Sequence, residues 1–314
     1  MRATFLGTGG SIPQAGRNPS GVALEMEGDL LLFDCGEGSQ RQMMKYKTGF
    51  EADQIYVSHV HGDHVLGLPG LSQTWTFQGR EKDVSVFCPE GTSRVIRDCF
   101  ELAGHRPPYE VRVNEVEPGD VVRADGYDVR AFETRHGAIE SVGYAVVEHQ
   151  RKGEFDRERA ESLGVPRHLF SRLHEGEDVE LEDGTVVRSE QVVGEPRPGR
   201  KFVYTGDTRP SEAVLEASRD ACLLVHDGTF GEDHAERAVE TNHSTARDAA
   251  ETAREADVEL LALTHVSSRY SASADELEGQ AREAHDRSFV AEDGDRVVIE
   301  YPDKDRQTRV VDTD

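Results

Sequence analysis

Residues 54–71 read QIYVSHVHGDHVLGLPGL, and within them His59, His61, Asp63 and His64 set four potential ligands in the order H-x-H-x-D-H. The apolar Ile55, Tyr56 and Val57 read as the end of a buried strand, and Gly62 lets the backbone turn sharply. The side chains after the turn then project from a rigid edge into one small volume. Neutral imidazole nitrogens and carboxylate oxygens suit zinc, and no cysteine joins the cluster, so a catalytic site is indicated rather than a closed structural one. A single histidine here would be an ordinary surface or core residue. Four such groups repel one another when protonated and gain little unless a cation holds them. The pairs His59/His61 and Asp63/His64 form two adjacent ligand sets, which predicts a dinuclear site.

Charge is the other unusual feature. The 314 residues carry 61 acidic against 36 basic side chains, a formal charge of −25, and only 6 of the basic residues are lysines. An acidic, lysine-poor surface suits a salt-loving cytoplasm, where molar salt shortens the Debye length to about 3 Å and screens self-repulsion. It also speaks against nucleic-acid binding through a basic patch. In molar salt, however, counterion release contributes little, and a nuclease would rely on metals, shape and a few placed arginines. Cys35, Cys88, Cys99 and Cys222 are scattered with no C-x-x-C pair, as expected of reduced thiols. The opening RATFLG reads as strand rather than leader, and no apolar run approaches the roughly 20 residues that span a membrane, so a soluble, cytoplasmic protein is expected.

Along the chain, RATFLGTGG, SGVALEME and DLLLFDCGEG read as strands and SQRQMMKY as a helix. GTSRVIRDCFELA is amphipathic helix, and VRVNEVEPGDVVRADGYDVRAFET reads as a three-stranded meander with Pro-Gly and Asp-Gly turns. Residues 148–199 interrupt the alternation with charged helical pieces, a hairpin signal at Asp183-Gly184 and a Pro/Gly-rich exit. KFVYTGD then puts Asp207 at a strand's carboxyl end, where its two oxygens can bridge two cations. TNHSTARDAAETAREA opens a helix at an Asn-His-Ser-Thr cap, VELLALTH is a buried strand ending in His265, and DRVVIEY is a last strand before a charged, loose tail. Two strand-rich halves with ligands at strand ends predict an α/β fold, an αββα sandwich.

SHVHGDH followed by LGLPGL resembles the signature of the metallo-β-lactamase superfamily, and the chain is similar within it to the ribonuclease Z family of tRNA 3′-processing endonucleases. Matching pieces span nearly the whole chain. The resemblance implies a catalytic domain of residues 1–147 and 200–314 and an inserted flexible arm, residues 148–199, that grips precursor tRNA. The arm's tip would be LGVPRHLFSRL, where Arg167 and His168 replace the family's Gly-Pro. It implies two zinc ions, with manganese or iron as substitutes: one on His59, His61 and His136, the other on Asp63, His64 and His265, with Asp207 between. Asp34 would brace the histidine loop as a hydrogen-bond acceptor. Pro13, Arg17 and Asn18 match a loop that contacts the tRNA end, with Gln14 and Ala15 where the family has lysine, and Ser267 and Arg269 would meet a phosphate. Asp63 would also accept the attacking water's proton, and His243 would protonate the departing 5′ oxygen of the trailer. A homodimer is implied, one subunit's arm serving the other's site. Competing readings are a broader metal-dependent phosphodiesterase or thioester hydrolase on the same scaffold, which would not need residues 148–199, and a non-catalytic binding protein, which would not need every ligand position filled.

Overall fold

Alternation of side chains along the strands builds four layers. In the computed structural model, which describes residues 1–304 and 307–311, the chain opens with β1 (Arg2–Gly7), β2 (Gly21–Met26) and β3 (Asp29–Phe33). Helix α1 (Ser39–Tyr46) follows, then β4 (Gln54–Tyr56), α2 (Gly62–Val65), α3 (Leu68–Phe77), β5 (Val84–Pro89), α4 (Ser93–Phe100) and β6 (Val111–Val116). A second set comprises β7 (Val121–Arg123), β8 (Tyr127–Glu133) and β9 (Val142–Glu148). Between it and the next strands stand α5 (Arg157–Ser162), α6 (Phe170–His174), β10 (Val179–Glu180) and β11 (Val186–Val187). The chain ends with β12 (Lys201–Tyr204), α7 (Glu212–Ser218), β13 (Leu223–Asp227), α8 (Ala235–Thr241), α9 (Ala246–Glu255), β14 (Leu261–Thr264), α10 (Asp275–Ala284), β15 (Ser288–Val290), β16 (Arg296–Val298) and β17 (Arg309–Val311).

One sheet runs β17-β16-β1-β2-β3-β4-β5-β6 and the other β15-β14-β13-β12-β9-β8-β7. Phe5, Leu24, Leu31 and Phe33 of the first meet Tyr144, Val146, Phe202 and Val225 of the second in one buried cluster between the sheets. Their strand neighbours point the other way: Leu6, Ala23 and Leu32 pack with α1, α3 and α4, while Ala145, Val203 and Leu224 pack with α7, α9 and α10. Period-two alternation with both faces buried is what places helices outside both sheets. The architecture is the expected αββα sandwich. Among the described residues no helix is long and apolar enough to cross a membrane, and all four cysteines are free thiols.

Two details differ from the sequence reading. The segment read as a three-stranded meander is split between sheets: β6 pairs in parallel with β5, whereas β7 pairs antiparallel with β8. The Pro118-Gly119 turn therefore carries the chain from one layer to the next. The tail read as loose includes β17, which pairs antiparallel with β16 from Arg296↔Val311 to Val298↔Arg309; residues 312–314, also assigned to that loose end, lie outside the described residues.

Residues 148–199 form a compact unit of their own. Ala160, Val165, Leu173, Val179, Val187 and Val192 give it a separate apolar core, with β10 and β11 paired as a hairpin across Asp183-Gly184. Arg167 is held by Glu161 at 3.2 Å.

Candidate metal centre

The chemistry-bearing residues gather just past strand ends. Asp34 follows β3, His59 to His64 follow β4, His136 follows β8, Asp207 follows β12 and His265 follows β14. Two of these positions are conformationally unusual: Asp34 and His265 adopt left-handed backbone angles, with φ of 56° and 60°, a geometry non-glycine residues rarely hold unless the surroundings impose it.

The donor atoms fall into close groups. His59, His61, His136 and Asp207 form one group and Asp63, His64 and His265 another, with donor atoms of each group within 4.8 Å of one another. Asp207 Oδ2 lies between them, 3.2 Å from His265 Nε2, 3.4 Å from His64 Nε2, 3.7 Å from His59 Nε2 and 3.9 Å from His136 Nε2. Asp63 Oδ2 is 3.3 Å from His265 Nε2 and 3.6 Å from His64 Nε2. Two buried atoms of the cluster, His64 Nε2 and Asp207 Oδ1, have no hydrogen-bond partner. Leaving an imidazole nitrogen and a carboxylate oxygen buried and unpaired is costly, and a cation held by both relieves that cost. The donor set, nitrogen and oxygen without sulfur, fits a hard or borderline divalent ion.

Electrostatics point the same way. Burial, reinforced by the neighbouring imidazoles, holds His59 and His61 below the usual imidazole range, so they are neutral as ligands must be. Burial opposes charge on His64, yet Asp207 and Asp34 beside it outweigh that and lift its pKa well above the usual value. Burial likewise opposes the ionised forms of Asp63 and Asp207. The His265 hydrogen bond at Asp63, and His265 and His64 beside Asp207, hold both carboxyls below the ordinary range nonetheless. Without a cation this cluster stores protons that a divalent ion would displace.

Asp34 does brace the histidine loop: it accepts Ser58 N–H, the Ser58 hydroxyl, His64 Nδ1–H and the Tyr204 hydroxyl, each at 2.7 Å. Sequence reasoning missed its counterpart, Asp227 at the end of β13. It accepts Thr208 N–H and Thr229 N–H at 3.0 Å, the Thr229 hydroxyl at 2.6 Å and His243 Nδ1–H at 2.8 Å. Burial works against the proton on His243, but Asp227 prevails and raises its pKa to about 9. A signal for Asp227 was present, since it ends a buried strand before a turn just as Asp34 and Asp207 do. His243 also stands with Asp207 and His265 in a third close donor group.

A cavity of about 400 Å³ opens onto these groups, lined by His61, Asp63, His136, Asp207, His243 and His265 together with Ser11, Pro13, Pro19, Glu37 and Leu66. Arg17, Asn18, Ser267 and Arg269 are absent from that lining. The Arg17 guanidinium is turned inward: it donates to Thr8 Oγ1 at 2.8 Å and to the Ala291 carbonyl. Asn18 N–H donates to Asp293 Oδ2 at 2.7 Å, and Asp293 also accepts Thr8 N–H at 3.0 Å and a Gln42 amide N–H at 2.8 Å. These contacts fix the loop between β1 and β2, which delivers Ser11 N–H to Asp63 Oδ2 at 2.7 Å. The loop also runs so close to His265 that a Cβ at Gly10 would sit 2.6 Å from its ring. Arg17 and Asn18 thus shape the site rather than line it. Ser267 is buried and accepts Arg269 N–H at 3.4 Å, while the exposed Arg269 guanidinium stands 5.9 Å from the Phe230 ring centroid.

A model of the beta-lactamase superfamily domain matches residues 30–155. Over 308 residues the chain is 56% identical to ribonuclease Z of Haloferax volcanii, with 97% of each chain covered. It is 51% identical to ribonuclease Z of Methanosarcina acetivorans, over 96% of this chain and 99% of that one. Among solved structures, the short form of human tRNase Z superposes with a TM-score of 0.70 at 26% identity, covering 96% of this chain and all of that one.

Proposed function

Since the chain belongs to the ribonuclease Z family, we propose that it is an endoribonuclease that removes the 3′ trailer from precursor tRNA, leaving a 3′-hydroxyl on the tRNA and a 5′-phosphate on the trailer. The observation that carries the reading is Asp207 Oδ2 standing between two donor sets, 3.2 to 3.9 Å from four imidazole nitrogens. We assign His59, His61 and His136 to one zinc ion and Asp63, His64 and His265 to the other, with Asp207 shared. Ions so bound would lower the pKa of water and offset charge developing on the phosphate.

The chain's own groups do the rest. Asp63, held by Ser11 N–H, takes the attacking water's proton. His243, with Nδ1 committed to Asp227, presents Nε2 to the oxygen that leaves. Atom balance corrects one expectation here. A 5′-phosphate on the trailer means the bond broken is from phosphorus to the tRNA's 3′ oxygen, so His243 protonates that oxygen and not the trailer's 5′ oxygen. Exposed Arg269 is available to the phosphate chain; Arg17, Asn18 and Ser267 act through the loops they hold. Free thiols at all four cysteines support a reducing, cytoplasmic setting. The family resemblance supports a homodimer.

Residues 148–199 are the tRNA-gripping arm in this reading, supported by their separate apolar core, which lets them fold as a module. In molar KCl, zinc-loaded protein should cleave a labelled precursor tRNA at the trailer junction. Deleting residues 155–190 should raise KM for that RNA on the order of tenfold or more, as loss of a remote binding surface does, and leave hydrolysis of bis(p-nitrophenyl) phosphate intact. Loss of both activities would show that the segment is needed for the fold of the site, and an uncut precursor would refute the function.

A further inference from the structure

Behind the metal centre, two buried aspartates are wired alike. Asp34 holds His64 directly at 2.7 Å and reaches His59 through Ser58, whose hydroxyl is 2.7 Å from Asp34 Oδ2 and 3.1 Å from His59 Nδ1. Asp227 holds His243 directly at 2.8 Å and reaches His265 through Thr229, whose hydroxyl is 2.6 Å from Asp227 Oδ1 and 2.8 Å from His265 Nδ1. A hydroxyl has one proton to give. An ionised carboxylate can only accept, so that proton goes to the aspartate and the hydroxyl oxygen must accept from the ring. Each ring is thereby held with a proton on Nδ1, which leaves Nε2 as the nitrogen an ion would take, and His59 Nε2 and His265 Nε2 are the atoms that face Asp207 at 3.7 and 3.2 Å.

We propose that Ser58 and Thr229 are positioning residues that set the donor nitrogen of His59 and His265, one for each ion position, so that the two affinities are tuned separately. The proposal rests on the two-ion reading above. An ordinary turn-stabilising role does not account for these hydroxyls, because the turns are already made by the backbone. Ser58 N–H donates to Asp34 Oδ1 at 2.7 Å and Thr229 N–H to Asp227 Oδ1 at 3.0 Å without them. Both side chains are buried, 1% and 4% exposed, so water cannot replace the lost partner easily. Each hydroxyl touches a ring of one set, Ser58 that of His59 and Thr229 that of His265, while His64 has its own direct bond to Asp34 Oδ2.

The test is a zinc titration of metal-free, full-length protein in molar KCl against a chelating dye, with no RNA present. Thr229→Val, nearly isosteric, should weaken one of the two zinc-binding steps about 10- to 100-fold, the usual cost of losing a group behind a metal ligand, and leave the other step unchanged. Ser58→Ala, which removes the hydroxyl alone, should weaken the other step. The cobalt(II) absorption spectrum should change at one site in each variant, and Thr229→Ser should restore it. If Thr229→Val does not fold, Thr229→Cys, whose thiol is a weak partner, must show the same selective loss. Wild-type affinities in the variants, or both steps weakened equally in each, would overturn the proposal. Because the readout is metal and not RNA, a protein that binds two ions but leaves precursor tRNA uncut would remove the functional reading and leave the relays standing.

Discussion

Replacing Asp207 with alanine is expected to abolish most of the zinc-induced rise in melting temperature and RNA cleavage with it. Asp207 Oδ2 lies 3.2 to 3.9 Å from imidazole nitrogens of both donor sets, and Asp207 Oδ1 is buried without a partner. Each ion supplied at about a thousand times its dissociation constant stabilises the folded protein by about 4 kcal/mol. With two ions, the wild-type melting temperature should rise on the order of 10 to 20 °C. The metal-free variant, by contrast, should melt within a few degrees of metal-free wild type. Removing Asp207 takes away the charge that helps hold the proton on His64, but it also removes a desolvated, half-satisfied carboxylate, and these effects oppose each other. Scanning calorimetry with and without zinc reads both quantities. A variant that keeps the wild-type shift would mean that Asp207 does not join the two positions.

How much of this was legible in the sequence depended on distance along the chain. His59, His61, Asp63 and His64 lie within six positions after a strand, so their convergence follows from local geometry, and period-two alternation revealed the strands themselves. Asp34 and Asp207 were legible as acids at strand ends. Sheet membership was not, because alternation says that residues 111–133 are strands and says nothing of which partner each strand takes; the turn at Pro118-Gly119 looks the same whether it closes a hairpin or crosses between layers. The hydroxyl relays were invisible for a related reason. Thr229 meets His265 from 36 residues away, a contact set by the parallel pairing of β13 with β14 and by no local pattern. Arg17 was read as a group for substrate because its loop resembles one that contacts the tRNA end in the family. The carbonyl of Ala291 and the carboxylate of Asp293, which draw that loop inward, come from the opposite end of the chain.

Asp63→Asn should lower kcat on precursor tRNA by about 10²- to 10⁴-fold, the usual contribution of a positioned general base, with KM nearly unchanged. Asparagine keeps an oxygen where Asp63 Oδ2 accepts Ser11 N–H at 2.7 Å, so the loop between β1 and β2 should hold its place and the cavity its shape. What is lost is charge and basicity. The carboxyl of Asp63 is held ionised by His64 and His265 against the cost of burial, and an amide can neither take the water's proton nor hold a cation as firmly. Those two losses separate in the data. If Asp63 matters mainly as a ligand, excess zinc restores turnover to the variant and metal-free and metal-loaded forms differ as they do in wild type. If it accepts the proton, turnover stays low when elemental analysis finds both ions in place. Near-normal turnover at full zinc loading would remove Asp63 from the proton's path and turn attention to Asp207, whose Oδ2 stands 3.2 Å from His265 Nε2 and 3.7 Å from His59 Nε2.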